Sequence, residues 1–173
     1  MKSFIVLFII FFFSCGDTAL EVNLTTADIP ISAAKEIKTV HTDSGLVSSK
    51  LNSPQMLDFS NSPFPYFEFP NDIEVILFDK FNNQTMITAD YAISYSNSDL
   101  IDLRGNVVIS THMSDTLLTD QLYYDRTEEW LFTNFDFRYI SSDKDILGKG
   151  FDSDKSFEKI NFLEVNGFVS LEE

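Results

Sequence analysis

The chain has 173 residues and a formal net charge of −15 at pH 7, from 12 Lys and Arg against 27 Asp and Glu. Such an acidic surface repels phosphate backbones, so we expect no nucleic acid partner, and any contact with lipid must use apolar surface. A hydrophobic fraction of 44% predicts one folded domain of ordinary size, and the 1 Cys excludes an internal disulfide.

The N-terminus has the pattern of a secreted, lipid-anchored protein. Residues 4–13 form an unbroken apolar run that is too short to span a bilayer but fits a signal-peptide core. Ser14, a small residue, and Cys15 follow this run, an order similar to the cleavage site of bacterial lipoproteins. We therefore expect a signal peptide at residues 1–14, a lipid anchor on Cys15 and a tether at residues 15–30. A plain secretory signal or a short buried segment is the alternative.

The segment after the tether contains short strand patterns separated by turns. Residues 31–40 begin either as a helical turn or as a first strand. Residues 46–51, 55–59 and 66–69 then have the composition of strands. All 5 Pro lie before residue 71, so strands beyond that point keep complete hydrogen-bond ladders.

The rest of the chain repeats one pattern with a period of about thirty residues. Residues 87–109, 118–140 and 147–171 each contain an apolar-polar alternation, a polar turn and a second alternation. Such copies cannot bury their apolar faces alone, so they must stack. The predicted strands are residues 73–78, 85–91, 92–95, 100–104, 107–111, 116–122, 123–125, 130–133, 135–140, 146–151 and 160–170. This series predicts an all-β sandwich or roll built from repeated hairpins.

Four short segments carry a resemblance to a known family. They are TADY at residues 88–91, DLRGNV at 102–107, EWLFT at 129–133 and GKGFD at 148–152. In this order, behind a lipoprotein-type leader, they resemble the LptC family of lipopolysaccharide-export periplasmic proteins. The resemblance covers roughly residues 35–173 and is to the lipoprotein-anchored form found in Bacteroidetes-type bacteria.

The resemblance implies a fold and a function. The fold is an OstA-like β-jellyroll over residues 31–173, open along one side and built from two facing antiparallel sheets. The function is non-enzymatic: family members accept lipopolysaccharide from an inner-membrane ABC transporter and pass it to a periplasmic bridge protein of the same fold. We therefore expect a periplasmic protein with a lipid anchor, in the inner membrane rather than the outer.

The lipid's acyl chains would lie in an apolar groove between the sheets, lined by alternate side chains of each strand. The inward candidates are Val75, Leu77, Ile87, Tyr91, Ile93, Leu103, Val107, Ile109, Leu118, Leu122, Tyr124, Leu131, Phe135, Phe137 and Phe162. A slip of one residue reverses the orientation of a whole strand. The alternative is a closed core in a membrane-anchored structural or adhesin-like β protein.

Exposed strands at the two ends of such a roll invite pairing with a strand of another protein. We expect residues 160–170 to form the outgoing edge toward the bridge protein. Residues 40–50 are expected to form the incoming edge toward the transporter.

Catalysis has little support in the sequence. His41 and His112 lie far apart and neither has metal-ligand spacing. Asp99 and Asp102 are spaced so that a strand would place them on opposite faces, which does not suit paired acid and base work. The 6 Gly are scattered and form no phosphate loop. We therefore expect no catalytic site, no metal and no cofactor.

Overall fold

The computed structural model describes residues 29–167, which form an all-β fold of eleven strands. The strands are β1 (Ser32–Asp43), β2 (Leu46–Phe59), β3 (Tyr66–Phe69), β4 (Ile73–Phe78), β5 (Gln84–Ala89), β6 (Tyr91–Tyr95), β7 (Leu100–Thr111), β8 (Thr116–Asp125), β9 (Trp130–Ile140), β10 (Asp145–Asp154) and β11 (Ile160–Val165). All pairs are antiparallel, and the predicted fold class is confirmed.

The predicted leader, the anchor at Cys15 and most of the tether lie outside the described residues. Between residues 29 and 167, no helix is long and apolar enough to cross a membrane. Residues 31–40, which the sequence left between a helical turn and a strand, belong to β1.

Several strands predicted as separate pieces are single long strands. Residues 100–104 and 107–111 both belong to β7, because Gly105 and Asn106 form a bulge rather than a turn. Gly105 has φ 74° and Asn106 has φ 46°, as expected for residues that tolerate the left-handed region. Similar register shifts interrupt the β8–β9 and β9–β10 ladders.

All eleven strands belong to one antiparallel hydrogen-bonded sheet, which branches into two parts because two strands each carry two partners along one edge. β3 and β4 pair with different segments of β2, and β5 and β6 pair with different segments of β7. The ladders of β7 to β10 shift register near their middle, so the residues on the two sides of each shift continue the two parts separately. We call the part with β3 and β6 sheet A, and the part with β4 and β5 sheet B. This arrangement is consistent with a jellyroll-like fold.

A single apolar core lies between the sheets. Phe151, Leu77, Ile87, Leu103 and Ile109 are among the largest side chains with less than 2% of their surface exposed. The side chains of both sheets pack against one another, so the apolar interior is a filled core in this structure.

The two terminal strands each have one strand partner in the described part of the chain. β1 pairs with β2, and β11 pairs with β10. The free N-terminal edge is therefore β1, whereas the predicted incoming edge at residues 40–50 is the β1–β2 hairpin, whose second strand is internal. The predicted outgoing edge begins as expected with β11, and its last residues lie outside the described range.

Candidate functional site

The space between sheets A and B is the candidate site, and most of the predicted groove residues point into it. Ten are buried and an eleventh, Phe162, packs against them half-buried. The eleven are Val75, Leu77, Ile87, Leu103, Val107, Ile109, Leu122, Tyr124, Leu131, Phe137 and Phe162. Whether they contact lipid stays a prediction.

Tyr91 and Ile93 face outward, and the inward orientation predicted for them is wrong. Strand β5 ends before Asp90 and β6 begins after it, so the alternation of inward and outward side chains is shifted by one residue. As a result Ala92 and Ser94 point into the core. Tyr91 instead pairs with the exposed Arg104 on the outer face.

Leu118 and Phe135 also lie outside the core, because bulges interrupt the alternation on β8 and β9. Leu117 is fully buried and its neighbour Leu118 is on the outer face. Phe135 lies where the register shifts and is 47% exposed, while Phe137, two residues later, is 3% exposed. The inward orientation predicted for Leu118 and Phe135 is therefore wrong as well.

Five aromatic rings close the interior at its C-terminal end, and we call them the aromatic cluster. The cluster consists of Phe137, Tyr139, Phe151, Phe157 and Phe162. Phe162 stacks on Phe137 with ring centroids 5.4 Å apart. Three of the five, Tyr139, Phe151 and Phe157, are not among the inward residues predicted from the sequence. Alternation along β9 and β10 marks Tyr139 and Phe151 as inward, whereas Phe157 lies on a turn and has no periodic signal.

A cavity of about 360 Å³ lies where turns of the two sheets approach each other, and we call it the mouth. Sheet B contributes Leu46, Phe78 and Asp79 from the β1–β2 hairpin and the β4–β5 turn. Sheet A contributes Glu129 from the β8–β9 turn, together with Lys155 and Glu158 from the β10–β11 turn. Lys155 donates to the Glu129 carboxylate, so an ion pair lies at the rim of the apolar interior.

A larger cavity, of about 860 Å³, lies near the break between β5 and β6 and is lined by residues of β1, β2, β4, β5 and β7. Its polar groups bond to one another: Asn52 donates to Glu74, and Asn106 donates to Asp90. Ser53 donates to the carbonyl of Asp72. These bonds pair several of its polar groups with one another, and its lining also contains the apolar side chains Ile37, Pro54, Ile73 and Ala89.

The buried carboxylate of Asp102 has a structural explanation. It lies on the outer face of β7 with 1% of its surface exposed. It accepts hydrogen bonds from Arg104 Nε at 3.0 Å and from Gln121 Nε2 at 2.7 Å, so it is fully paired. Among residues 29–167, no group of three or more His, Cys, Asp and Glu is placed to hold a metal ion.

The environment of Tyr139 favours its neutral form. Burial, assisted by the hydrogen bond that its hydroxyl donates to Asp115 at 3.0 Å, raises the pKa of Tyr139 to about 12. Burial likewise raises the pKa of Tyr124. An unfolded chain has tyrosine pKa values of about 10. The stability that these neutral phenols provide is therefore fully present below about pH 10 and is lost as the pH rises toward about 12.

We expect urea unfolding at pH 9, 10, 11 and 12 to show a falling midpoint above about pH 10. In Tyr139→Phe the fall should be shallower, because a group that must ionise has been removed. Below pH 10 this variant should lose about 1 kcal/mol, the typical net value of one hydrogen bond. An alkaline slope identical to that of the unmodified chain would contradict the assignment.

The sequence model of one protein family matches residues 4–168 of the chain, which is nearly its whole length. That family is described as "Lipopolysaccharide-assembly, LptC-related". No curated protein matches the chain.

Proposed function

The chain belongs to the LptC-related lipopolysaccharide-assembly family, a group of non-enzymatic transport components, and from this membership we propose a specific role. It accepts lipopolysaccharide from an inner-membrane ABC transporter. It passes the lipid through the space between sheets A and B to a periplasmic bridge protein of the same fold. The observation that carries this proposal is the continuous apolar interior shared by two sheets, with a mouth between their turns.

Acyl chains enter this interior when the sheets separate at the mouth. The opening costs little because side-chain contacts are replaced by acyl-chain contacts of the same apolar character, so little apolar area is exposed to water. The net charge of −15 gives no electrostatic attraction for an anionic head group, so in this proposal the apolar interior holds the lipid through its acyl chains.

The two free strand edges extend the interior to neighbouring proteins. A partner strand that pairs with β1 or β11 continues a sheet through backbone hydrogen bonds, and its apolar face then continues the groove. We propose that β1 receives the transporter side and β11 the bridge protein. Leu163 and Val165 on β11 are 63% and 49% exposed, which leaves apolar surface for such a partner to cover.

A lipid anchor on Cys15 would hold the domain at the inner membrane, and the tether at residues 15–30 would let it reach both partners. At about 0.8 kcal/mol for each buried methylene, several acyl chains hold a protein firmly.

A membrane-anchored structural or adhesin-like protein is the second candidate. The filled interior favours it, because a closed β core needs no lipid. The two functions differ in whether lipopolysaccharide ever reaches the inward side chains.

Photo-crosslinking at two positions of β9 distinguishes the lipid relay from the structural protein. A photoreactive phenylalanine analogue at position 137 faces the interior, and the same analogue at position 135 faces outward. In cells, we expect a lipopolysaccharide adduct at position 137 and little at position 135. Equal labelling at both positions, or none at position 137 in a folded protein, would exclude the relay.

A further inference from the structure

Phe157 lies where the mouth meets the interior. It belongs to the β10–β11 turn of sheet A, whose residues Lys155, Ser156 and Glu158 line the mouth. Its ring is 8% exposed. It lies 5.5 Å from the ring of Phe151 in sheet A and 6.5 Å from that of Tyr139 in sheet B. The ring therefore lies between the two sheets, and its neighbours on the same turn line the mouth.

Phe157 differs from the rest of the aromatic cluster because it lies on a turn and not on a strand. The other four rings are carried by strands β9, β10 and β11. The turn of Phe157 is held by bonds of its own: Phe157 N–H donates to the Asp154 carbonyl at 3.1 Å, and Lys159 N–H donates to the Asp154 carboxylate at 2.8 Å. Because these bonds are internal, the turn can move as one unit while the strands stay paired.

The backbone of Phe157 also carries strain. Its φ of 60° lies in the left-handed region, where a bulky side chain is unfavourable and Gly or Asn is preferred. The turn geometry therefore does not explain an aromatic residue at this position. Strain of this kind persists when surrounding packing holds it, and it is relieved when the segment moves.

The contacts to the neighbouring turn are few. Lys155 N–H donates to the Glu129 carbonyl at 3.1 Å, and the Lys155 ammonium pairs with the Glu129 carboxylate, whose side chain is 49% exposed. The Lys155 side chain is only 15% exposed, so this pair is partly buried, but a single ion pair at this position still adds only a modest restraint on the turn.

We infer that Phe157 is the gate of the lipid site: acyl chains pass between the mouth and the interior when the β10–β11 turn swings outward and withdraws this ring. The inference rests on the proposed function and adds the route and the residue that controls it. Withdrawal of the ring connects the mouth to the aromatic cluster, and the strain at Phe157 lowers the barrier to this motion.

Two variants at position 157 distinguish the effect of the aromatic ring from the effect of the turn conformation. Phe157→Asn removes the ring and suits the positive φ, so the turn keeps its shape, while Phe157→Tyr keeps a ring. Phe81→Asn is the matched control, because Phe81 lies on the β4–β5 turn and is 70% exposed. Entry of the apolar dye N-phenyl-1-naphthylamine is followed by stopped-flow fluorescence.

We expect entry to be about tenfold faster in Phe157→Asn, because the packing of a whole ring no longer opposes it. Phe157→Tyr and Phe81→Asn should keep the native rate. A folded Phe157→Asn protein with the native rate would overturn the gate.

Hydrogen exchange on the unmodified chain gives a second test that needs no substitution. Adding lipopolysaccharide should speed exchange at the amides of Phe157 and Lys159 severalfold while the centre of β10 stays protected. Unchanged exchange at these two amides, with lipopolysaccharide bound, would refute the gate. If dye enters faster in Phe157→Asn but no lipopolysaccharide adduct forms at position 137, the proposed relay is refuted while the gate is supported.

Discussion

Replacing Gly148 with Ala is expected to remove β11 from the sheet. Gly148 pairs with Val165 of β11 on one side and with Phe137 of β9 on the other. A methyl group at this position would overlap the carbonyl oxygen of Glu164 and lie 2.7 Å from Cζ of the Phe137 ring. Neither neighbour can yield cheaply, because one is backbone and the other is a ring packed in the aromatic cluster.

We therefore expect Gly148→Ala to lose about 3 kcal/mol of unfolding free energy, the upper part of the range for overpacking. Residues beyond Asp154 should also become sensitive to limited proteolysis. Gly45→Ala is the matched control, because Gly45 has φ 84° but nothing within 4 Å of the added methyl. It should lose only about 1 kcal/mol, from backbone strain alone. Equal losses in the two variants would show that the contact with β11 is unimportant.

The second large effect is expected at Phe151. Its ring is fully buried and lies within 5.9 Å of Phe137, Phe157 and Phe162, measured between ring centroids. Truncation to Ala removes the centre of the aromatic cluster and leaves a cavity between the sheets. We expect Phe151→Ala to lower the free energy of unfolding by about 3–5 kcal/mol, measured by urea denaturation.

Phe135→Ala provides the control for this measurement. The two residues share a side-chain type, but Phe135 is 47% exposed at the bulge of β9. We expect a change of at most about 0.5 kcal/mol there. If Phe151→Ala lowers the free energy of unfolding by less than about 1 kcal/mol, neighbouring side chains have moved to fill the cavity. The aromatic cluster would then not be rigidly packed.

Both variants bear on the proposed relay. Gly148 keeps β11 in place as a docking edge, and Phe151 supports the ring of Phe157 from below. A Gly148→Ala protein should therefore fail to pair with the bridge protein even where its remaining strands are folded. Phe151→Ala should admit apolar ligands more readily, because the gate loses its packing partner.

Tyr91 and Ile93 on β6 were predicted to line the groove, and their outward orientation could not be predicted from the sequence. In an unbroken strand, the inward side chains Ile87 and Ala89 would be followed by an inward Tyr91. Asp90 separates β5 from β6, so the side chains of β6 have the opposite orientation. The interruption depends on the strand switching partners, from β4 and β7 to β3 and β7. No local pattern encodes that choice of partner, so the reversal is invisible before the pairing is known.

The all-β class, the positions of most strands and turns, and the family could be predicted from the amino-acid sequence alone. These follow from local properties: alternation, turn chemistry and the order of short motifs. The inward faces of β6, the outward positions of Leu118 and Phe135, the filled interior and the packing of the turn residue Phe157 against it required the three-dimensional structure. These depend on pairing and packing between segments far apart in the chain, which no local pattern specifies.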